Sequence, residues 1–303
     1  MSLEFREITS ECAGIFASYE ALRPIYMSEG HFLNQYIWKN YYHTRFATDE
    51  IALYLLIDVA GKPGAFLPLC TKDNLPTAFI RLQEYFNETL HAPLNLYLTD
   101  RLSFDILTHA GLTKRYDFED DRNSYDYMYE AEKLKTLSGR ALHKKKNHLN
   151  SFLREYEGRY EYVSLTCENT EEVRQFHEKW LDERRIYDRF SCIDSEEEGV
   201  YDIFEHCGKL PCKIGGVRID GNLVAYTIGS YAPSIQCAFI HIEKADVSYH
   251  GLYNYINQQF LLHEFPDAVL VNREDDLGQE NLRHAKMSYR PLRLEEKYNL
   301  YQR

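Results

Sequence analysis

Some segments of this chain have apolar residues at helical spacing, and others have the short apolar or alternating pattern of strands. These segments occur in the same order twice. In the first half, apolar residues recur at helical spacing over 77–90, and a short apolar run over 94–98 predicts a buried strand. Residues 100–112 predict a second helix with Asp100 as its N-cap, and 124–134 predict a second strand. The predicted order is therefore helix, strand, helix, strand.

The second half repeats this order about 175 residues later. Helical spacing over 252–265 is followed by an apolar strand over 268–271, a helix over 276–287 and a last strand over 294–301. A strand-rich stretch precedes each unit. In the second half it covers 212–246, where the residues IDGN predict a hairpin turn between two strands. The repeat predicts two similar α/β modules.

A basic segment joins the two predicted modules. Residues 137–158 predict one long helix, in which apolar residues such as Leu149 and Phe152 fall on one face and the lysines on another. We therefore expect an N-terminal module over 1–136 and a C-terminal module over 137–303 that opens with this helix. The predicted fold class is α/β, of the α+β kind, with a mixed sheet in each module.

The composition is that of an ordinary folded protein. Hydrophobic residues make up 44% and charged residues 27% of the 303 positions, which excludes wholesale disorder. No apolar run approaches the roughly 20 residues that cross a bilayer, and the first residues carry acids where a secretion signal has a basic start. We expect a cytoplasmic protein with no transmembrane segment. The residues predict no particular oligomeric state.

The charge is segregated along the chain. The net charge of −12 argues against a protein that coats nucleic acid along its whole surface. Residues 138–160 nevertheless hold six Lys or Arg against two Glu. This segment predicts a local basic patch on an acidic protein.

The seven cysteines favour buried, reduced thiols over a disulfide framework. Their number is odd, and no two of them form a C-x-x-C pair. The HCGKLPC stretch at 206–212 has an irregular spacing for zinc ligands, so we predict no metal site.

Three stretches of the chain resemble a known family. The stretches LSGRALHKKKNHLNSFLREY, IHIEKADVSYHGLYNYINQQF and VNREDDLGQENLRHAKMSYRP are similar to signature segments of the phosphatidylglycerol lysyltransferase C-terminal-like family. The repeated element order resembles two tandem GNAT acyltransferase modules, as in the Fem-type peptidyltransferases. The resemblance implies transfer of an activated acyl group onto a hydroxyl or an amine. In the lysyltransferases, that group comes from aminoacyl-tRNA.

The chain departs from these relatives in two respects. GNAT enzymes that use acyl-coenzyme A bind its pyrophosphate at a glycine-rich turn before a helix, whereas the corresponding stretch here offers only Gly251. This difference argues against acyl-coenzyme A as the donor. The lipid-modifying lysyltransferases also carry a long membrane portion that this sequence lacks, which puts a lipid acceptor in doubt.

The candidates for acid–base catalysis are His241, Glu243 and Glu274. His241 and Glu243 alternate along a predicted strand, so their side chains should face one way, with His241 as general base and Glu243 polarising it or binding the acceptor amine. Titratable groups on an apolar strand are costly unless they are paired or used. A satisfied pair at the edge of the core is the alternative. Glu274, which follows the 268–271 strand, should pair with a base, or it is a solvated loop acid.

The third stretch offers further polar residues. Asp276 and Gln279 have the spacing of a capping box. Arg283, Lys286 and Arg290 would share one helix face if the helix reached Arg290, where they could bind a carboxylate or phosphate or form an ordinary solvated face. The predicted binding set is completed by Asn272 and Tyr289 of the same stretch.

The HKKKNHLN run over 143–150 concentrates positive charge on the basic helix. Such runs are usually solvated faces, but this one could bind a phosphate backbone, including that of charged tRNA. Four residues here match the family stretch: Lys144, Lys145, Asn147 and Arg154.

The predicted function is acyl transfer, with aminoacyl-tRNA as the favoured donor and a small, peptide-like or lipid-like amine or hydroxyl as acceptor. One alternative is an N-acetyltransferase of the same fold that uses acyl-coenzyme A. Another is a non-catalytic protein that senses an anionic metabolite in the same cleft.

Overall fold

Two seven-stranded mixed sheets form the centre of the structure, a computed structural model that describes residues 3–185 and 192–303. The strands of the first sheet are β1 (Arg6–Glu7), β2 (Arg45–Thr48), β3 (Ala52–Val59), β4 (Lys62–Cys70), β5 (Asn95–Asp100), β6 (Tyr116–Asp120) and β14 (Lys297–Gln302). The strands of the second sheet are β7 (Asp126–Glu130), β8 (Tyr160–Leu165), β9 (Lys213–Ile219), β10 (Asn222–Ala232), β11 (Cys237–Ala245), β12 (Leu270–Asn272) and β13 (Arg293–Glu295).

The α-helices of the described residues follow the repeated order in each half. They are α1 (Ala13–Glu20), α2 (Phe32–Trp38), α3 (Leu75–Glu84), α4 (Arg101–His109), α5 (Ala131–Thr136), α6 (His143–Glu155), α7 (Thr170–Arg185), α8 (Cys192–Glu205), α9 (Leu252–Glu264) and α10 (Glu280–Met287). Asp100 caps α4 as predicted, because its side chain accepts the Ser103 N–H.

The two sheets exchange one strand each. The first sheet has the order β1-β2-β3-β4-β5-β14-β6, so the last strand of the chain lies between two strands of the first half. The second has the order β13-β7-β12-β11-β10-β9-β8, so a strand of the first half lies between two of the second. A division of the chain at residue 136 therefore does not divide the sheets.

Tight turns set the register of the antiparallel hairpins. The predicted IDGN turn joins β9 to β10, with positive φ angles of 52° at Asp220 and 82° at Gly221. Ala60 and Gly61 join β3 to β4 in the same way, with φ angles of 53° and 79°. Two successive residues with positive φ give the type of turn that matches the twist of paired strands.

Several predicted elements are shorter in the structure. The predicted strand over 124–134 ends at Glu130 and continues as α5. The basic helix predicted over 137–158 is α6, which covers only His143–Glu155, after a single 3-10 turn. The helix predicted from residue 276 begins at Glu280.

The helices cover both faces of the second sheet. α5, α6 and α9 enclose one apolar core on one face, with Phe152, Ile256 and Phe260 at its centre. On the other face, residues of α7 and α8, including Phe176 and Ile203, join the larger core that continues into the first sheet. The two halves thus share a continuous interior.

A disulfide joins Cys167 to Cys207, whose Cα atoms lie 5.4 Å apart. The prediction of reduced thiols is therefore wrong for this pair, whereas Cys12, Cys70 and Cys237 are buried and free. Among the helices of the described residues, none has the length and apolar character that a membrane crossing requires.

Candidate functional site

The second sheet opens where its two parallel strands stop pairing. β11 and β12 pair only up to Phe239 and Asn272. Near this level, the pairing of β10 with β11 contains a β-bulge between Ile228 and Gly229. A bulge interrupts the regular alternation of side chains and is frequent next to active sites. The polar residues predicted from the sequence follow directly on β11 and after β12.

The bulge separates two side chains that were predicted to share a face. Ile240 packs in the core beneath α9, whereas Ile242 packs in the core that continues into the first sheet. Regular alternation would place both on one side. His241 and Glu243 accordingly have different hydrogen-bond partners. The prediction that Glu243 polarises His241 is wrong.

His241 lies in a buried chain of hydrogen bonds. Its Nδ1 is 2.7 Å from Glu274 Oε1, and its Nε2 is 2.8 Å from Ser230 Oγ. The amide of Asn34, from the first half, donates to the same carboxylate oxygen at 3.0 Å. The His241 side chain is only 1% exposed. Glu274 is thus hydrogen-bonded to the predicted base, His241. Ser230 is the third residue of this hydrogen-bond chain, and the sequence pattern did not predict it.

On the opposite face, Arg273 forms an ion pair with Glu243. The distance from Arg273 Nη2 to Glu243 Oε1 is 2.9 Å, and Asn257 of α9 donates to the other carboxylate oxygen at 3.0 Å. Arg273 Nη1 is buried and makes no hydrogen bond within the part of the chain that the structure describes. Arg273 was not predicted as a site residue, although it stands between Asn272 and Glu274.

A pocket of about 260 Å³ lies at the start of α9. We call it the α9 pocket; its lining consists of Lys145, His148, Val247, Tyr249, His250, Gly251, Leu252, Tyr253 and Asn254. Gly251 has a φ of 87°, and a Cβ at this position would lie 2.4 Å from the carbonyl oxygen of His148. Only glycine therefore allows α6 to pack on the start of α9. The positive end of the α9 dipole faces this region.

Two cations lie against the ring of Tyr289 next to this pocket. Lys145 Nζ is 4.3 Å and Arg273 Cζ is 5.0 Å from the ring centroid. The amide of Asn254 donates to the Tyr289 hydroxyl at 2.6 Å, which fixes the ring. Burial, together with the charges of Arg273 and Lys144, lowers the pKa of Lys145 to about 8. No carboxylate among the described residues forms an ion pair with Lys145, so the site favours an anion.

Two imidazoles complete the lining. His148 Nδ1 and His250 Nε2 lie 2.8 Å apart. Burial and the charge of His250 lower the pKa of His148. Neither histidine was predicted as a site residue, although His148 lies within the basic run and His250 directly precedes Gly251. The lining of the α9 pocket contains no acid.

The other predicted residues of α6 lie outside this pocket. The side chains of Lys144, Asn147 and Arg154 are exposed, and Asn147 lies within hydrogen-bond distance of His143 in the same helix, at 3.4 Å. Of the four α6 residues predicted to bind a donor, Lys145 alone lines the α9 pocket.

The third predicted stretch is held mainly by contacts within the protein. The predicted cap Asp276 does not cap α10, whose N-cap is Gln279. Asp276 instead accepts from Arg283 Nε and Nη2, both at 2.8 Å. Against the effect of burial, hydrogen bonds from Arg283 and Tyr127 hold the pKa of Asp276 below its ordinary value. Arg283 is therefore engaged by an internal carboxylate.

Arg283 and Lys286 both lie in α10, but Arg290 does not, and Lys286 is held by internal contacts. Lys286 Nζ donates to the backbone carbonyls of Arg273, at 2.6 Å, and Asp275. Burial lowers the pKa of Lys286. Arg290 lies beyond the end of α10, with a φ of 57°, and is exposed. The condition for a face shared by all three is not met, because the helix ends at Met287, before Arg290.

Asn272 has a structural position at the junction of the two halves. Its amide donates to the Tyr26 carbonyl at 2.7 Å and to Asp126 Oδ2 at 2.8 Å. Its Oδ1 accepts the backbone N–H of Glu274, which holds Glu274 at a φ of 55°. Its side chain therefore positions the loop that carries Glu274.

Among the described residues, two groups of carboxylate and imidazole side chains are close enough together to hold a cation. Glu29, Asp126 and Asp275 surround Lys297, whose ammonium lies 2.7 Å from both Glu29 and Asp126. The other group consists of Asp202, Glu205 and His206, and Lys39 contacts Asp202 there. In both groups a lysine already supplies positive charge.

The paired mixed sheets, each with a parallel pair of strands that separates, define a tandem GNAT-like acyltransferase fold, as predicted. The sequence profile described as "Phosphatidylglycerol lysyltransferase, C-terminal" matches residues 20–301. The chain belongs to this family, which confirms the resemblance seen in the three stretches.

Solved structures with the same fold include proteins of three kinds. A conserved protein of unknown function from Bacteroides thetaiotaomicron has a TM-score of 0.88 and 25% identity, with 100% of both chains covered. L-PGS from Bacillus licheniformis has a TM-score of 0.66 and 15% identity, with 95% of this chain and 91% of that chain covered. FemX has a TM-score of 0.63 and 10% identity, with 99% and 98% covered. Family and fold together indicate an acyl- or aminoacyltransferase of GNAT-like type.

Proposed function

We propose that this protein transfers an aminoacyl group from aminoacyl-tRNA to an amine or hydroxyl acceptor that is small, peptide-like or lipid-like. The observation that carries the proposal is the pair of cations, Lys145 and Arg273, on the Tyr289 ring beside the α9 pocket. Arg273 is neutralised by Glu243, but Lys145 has no carboxylate partner among the described residues. An anionic donor supplies the missing negative charge.

The two cations have different roles in this proposal. Lys145, at the pocket lining, binds a donor phosphate together with the positive end of α9. The unpartnered Nη1 of Arg273 donates to the ester carbonyl oxygen, on which negative charge develops during attack by the acceptor. Glu243 and Asn257 hold the guanidinium in place for this contact. His241, held by Glu274, lies on the opposite face of the sheet and takes no part in this arrangement.

Two features favour aminoacyl-tRNA over acyl-coenzyme A as the donor. The first turn of α9 offers one glycine, Gly251, and α6 packs directly on it, so the glycine-rich turn that receives a pyrophosphate is missing. The exposed lysines of α6, Lys144 and Lys146, extend the positive surface beyond the pocket, as a longer phosphate backbone requires. This donor also requires the cytoplasmic location expected from the sequence.

The test is a competition binding experiment on the purified protein with charged tRNA, uncharged tRNA and acetyl-coenzyme A. We expect preference for charged tRNA, and about tenfold weaker binding in Lys145→Met, since one charge-assisted contact is lost. The matched control is Lys133→Met, which removes an exposed lysine of α5 that pairs with Glu130. Its affinity should stay within twofold of the parent value.

Other outcomes separate the alternatives. If acetyl-coenzyme A binds tightly and neither form of tRNA binds, the donor is acyl-coenzyme A and not aminoacyl-tRNA. Equal loss of affinity in Lys133→Met and Lys145→Met would show that binding depends on overall charge and not on the α9 pocket. If neither donor binds, the aminoacyltransferase proposal fails.

A further inference from the structure

The hydroxyl of Ser230 completes an acid–base–hydroxyl series at the bulge of the second sheet. Ser230 Oγ lies 2.8 Å from His241 Nε2, and His241 Nδ1 lies 2.7 Å from Glu274 Oε1. A serine, an imidazole and a carboxylate in this order form the arrangement that activates a serine hydroxyl as a nucleophile. Asn34 fixes the carboxylate in turn, at 3.0 Å.

Two backbone irregularities bring the three residues together. The β-bulge between Ile228 and Gly229 turns the segment that carries His241 and Ser230. Glu274 has a φ of 55°, a conformation that costs a non-glycine residue about 1 kcal/mol or more. Irregularities of this kind persist where the surrounding structure enforces them and cluster at functional sites. Here both of them lie next to the same histidine.

A second pocket lies beside Ser230. Its volume is about 280 Å³, and Ser230 is part of its lining together with Lys213, Tyr231, Phe265 and Pro266. Tyr231 and Phe265 are stacked, with ring centroids 6.2 Å apart, and give the pocket an apolar wall. Lys213, Glu264 and Asp267 also line the pocket, so its rim carries both signs of charge. The pocket suits a small acyl group on a carboxylic ester.

We propose that Ser230 is an acyl-accepting nucleophile, activated by His241 and Glu274, and that it gives the protein a serine-type esterase activity on small carboxylic esters. Ser230 Oγ forms a bond to the acyl carbon, and the ester C–O bond breaks. The hydroxyl proton passes to His241 Nε2 and from there to the leaving alkoxide. Water or an amine then releases the acyl group, and its proton follows the same route.

This site is separate from the α9 pocket, so the proposal does not rest on tRNA as a donor. Glu274, which holds His241, accepts from Asn34 of the first half, whereas Glu243, which holds Arg273, accepts from Asn257 of α9. Donor binding should therefore be unaffected in Ser230→Ala, and failure of either proposal can be recognised without the other.

The experiment is covalent labelling of the purified protein with diisopropyl fluorophosphate, followed by intact-mass and peptide mass spectrometry. In this reaction the Oγ–P bond forms, the P–F bond breaks, and His241 takes the hydroxyl proton. We expect one label per chain, located on Ser230 and absent in Ser230→Ala. His241→Gln should slow labelling about a hundredfold, the usual contribution of a general base. Glu274→Gln should slow it as well, with the fold checked by thermal melting.

Ser103 provides a matched control within the chain. It is buried and its hydroxyl accepts from Arg23 at 3.0 Å, so it has no base and should stay unlabelled. Labelling of Ser103 at the rate of Ser230 would overturn the proposal. No label on Ser230 in folded protein, or a labelling rate unchanged in both His241→Gln and Glu274→Gln, would also overturn it.

Discussion

Each half of the molecule has an opening where two parallel strands separate, and the side chains at the two openings differ. In the first half, β4 and β5 pair only around Phe66 and Tyr97 before they separate. A buried arginine, Arg23, connects elements beyond that point: it donates to Ser103 Oγ at 3.0 Å and to the Pro68 carbonyl at 3.4 Å, and it pairs with Asp100 at 3.7 Å. The opening is closed by an arginine whose contacts are internal.

In the second half, the corresponding opening between β11 and β12 contains two pairs, each made of a carboxylate and a basic side chain. It adjoins the α9 pocket. Glu274 holds His241, and Glu243 holds Arg273, on opposite faces. The next cation, Lys145, is left without a carboxylate partner in the described residues. Groups that lower the stability of a protein are retained where they serve binding or catalysis. The comparison therefore favours the second half for the proposed binding and catalysis and the first half for stabilisation.

The exchanged strands connect these two halves through one buried ion cluster. Asp126 is the first residue of β7, Lys297 is the first residue of β14, and the two side chains are 2.7 Å apart and fully buried. Glu29, from the first half, also contacts Lys297 at 2.7 Å. Burial alone would lower the pKa of Lys297, but the charges of Asp126 and Glu29 raise it. The cluster stabilises the point at which the strands cross.

The largest effect is expected from Lys297→Met. Two buried carboxylates would lose their cation, and a broken buried ion pair costs about 3–5 kcal/mol in the free energy of unfolding. Because each sheet contains a strand of the other half, both halves should lose stability together. Urea unfolding followed by far-UV circular dichroism and by tryptophan fluorescence should give coincident transitions at a lower midpoint.

The control for this variant is Lys133→Met, which removes a lysine that pairs with Glu130 at the surface. Exposed pairs of this kind contribute about 1 kcal/mol or less. Two separate transitions in Lys297→Met, one for each half, would show that the halves fold independently and would contradict the comparison.

A smaller effect is expected from Arg23→Met. Ser103 and the Pro68 carbonyl would lose a buried charged donor, at a cost of about 2 kcal/mol in the free energy of unfolding. Donor binding should stay the same, because Arg23 lies in the opening of the first half. Urea unfolding and tRNA competition, measured on the same protein, check both statements. A loss of donor affinity without a loss of stability would place a ligand site in the first half.

Much of the fold could be predicted because local patterns determine it. The repeated element order, the Asp100 cap and the turn at Asp220 and Gly221 all follow from periodicity and turn chemistry. The strand exchange could not be predicted in this way. Tertiary packing determines which strands pair with short strands such as β7 and β14, and it leaves no periodic signal in the sequence.

The site was predicted less well for a similar reason. The alternation rule placed His241 and Glu243 on one face, and one bulge was enough to separate them. The spacing of Arg283 and Lys286 predicted ligand contacts, but spacing does not reveal that Asp276 and two backbone carbonyls already engage them. Ligand-binding cations differ from structural ones by what surrounds them in space.

Lys145→Met tests that distinction with the smallest expected effect. Its donor affinity should fall about tenfold, but its stability should not fall, because the lost cation has no carboxylate partner and is repelled by Arg273. The pKa of Lys145 in the folded protein, about 8, is below the ordinary value of 10.5. The unfolded chain therefore binds more protons between these two values, and this residue makes the parent protein gain stability as the pH rises through that range.

Below pH 8 the charged lysine destabilises the folded protein fully, so Lys145→Met should be most favourable there. Its advantage should shrink as the pH approaches 10. Urea unfolding of both proteins at pH 7 and pH 10 measures this difference, with Lys133→Met as a control that shows no such trend. A loss of stability in Lys145→Met at pH 7 would mean that an internal acceptor already satisfies the ammonium. The contrast between a stabilising first half and a ligand-binding second half would then lose its main support.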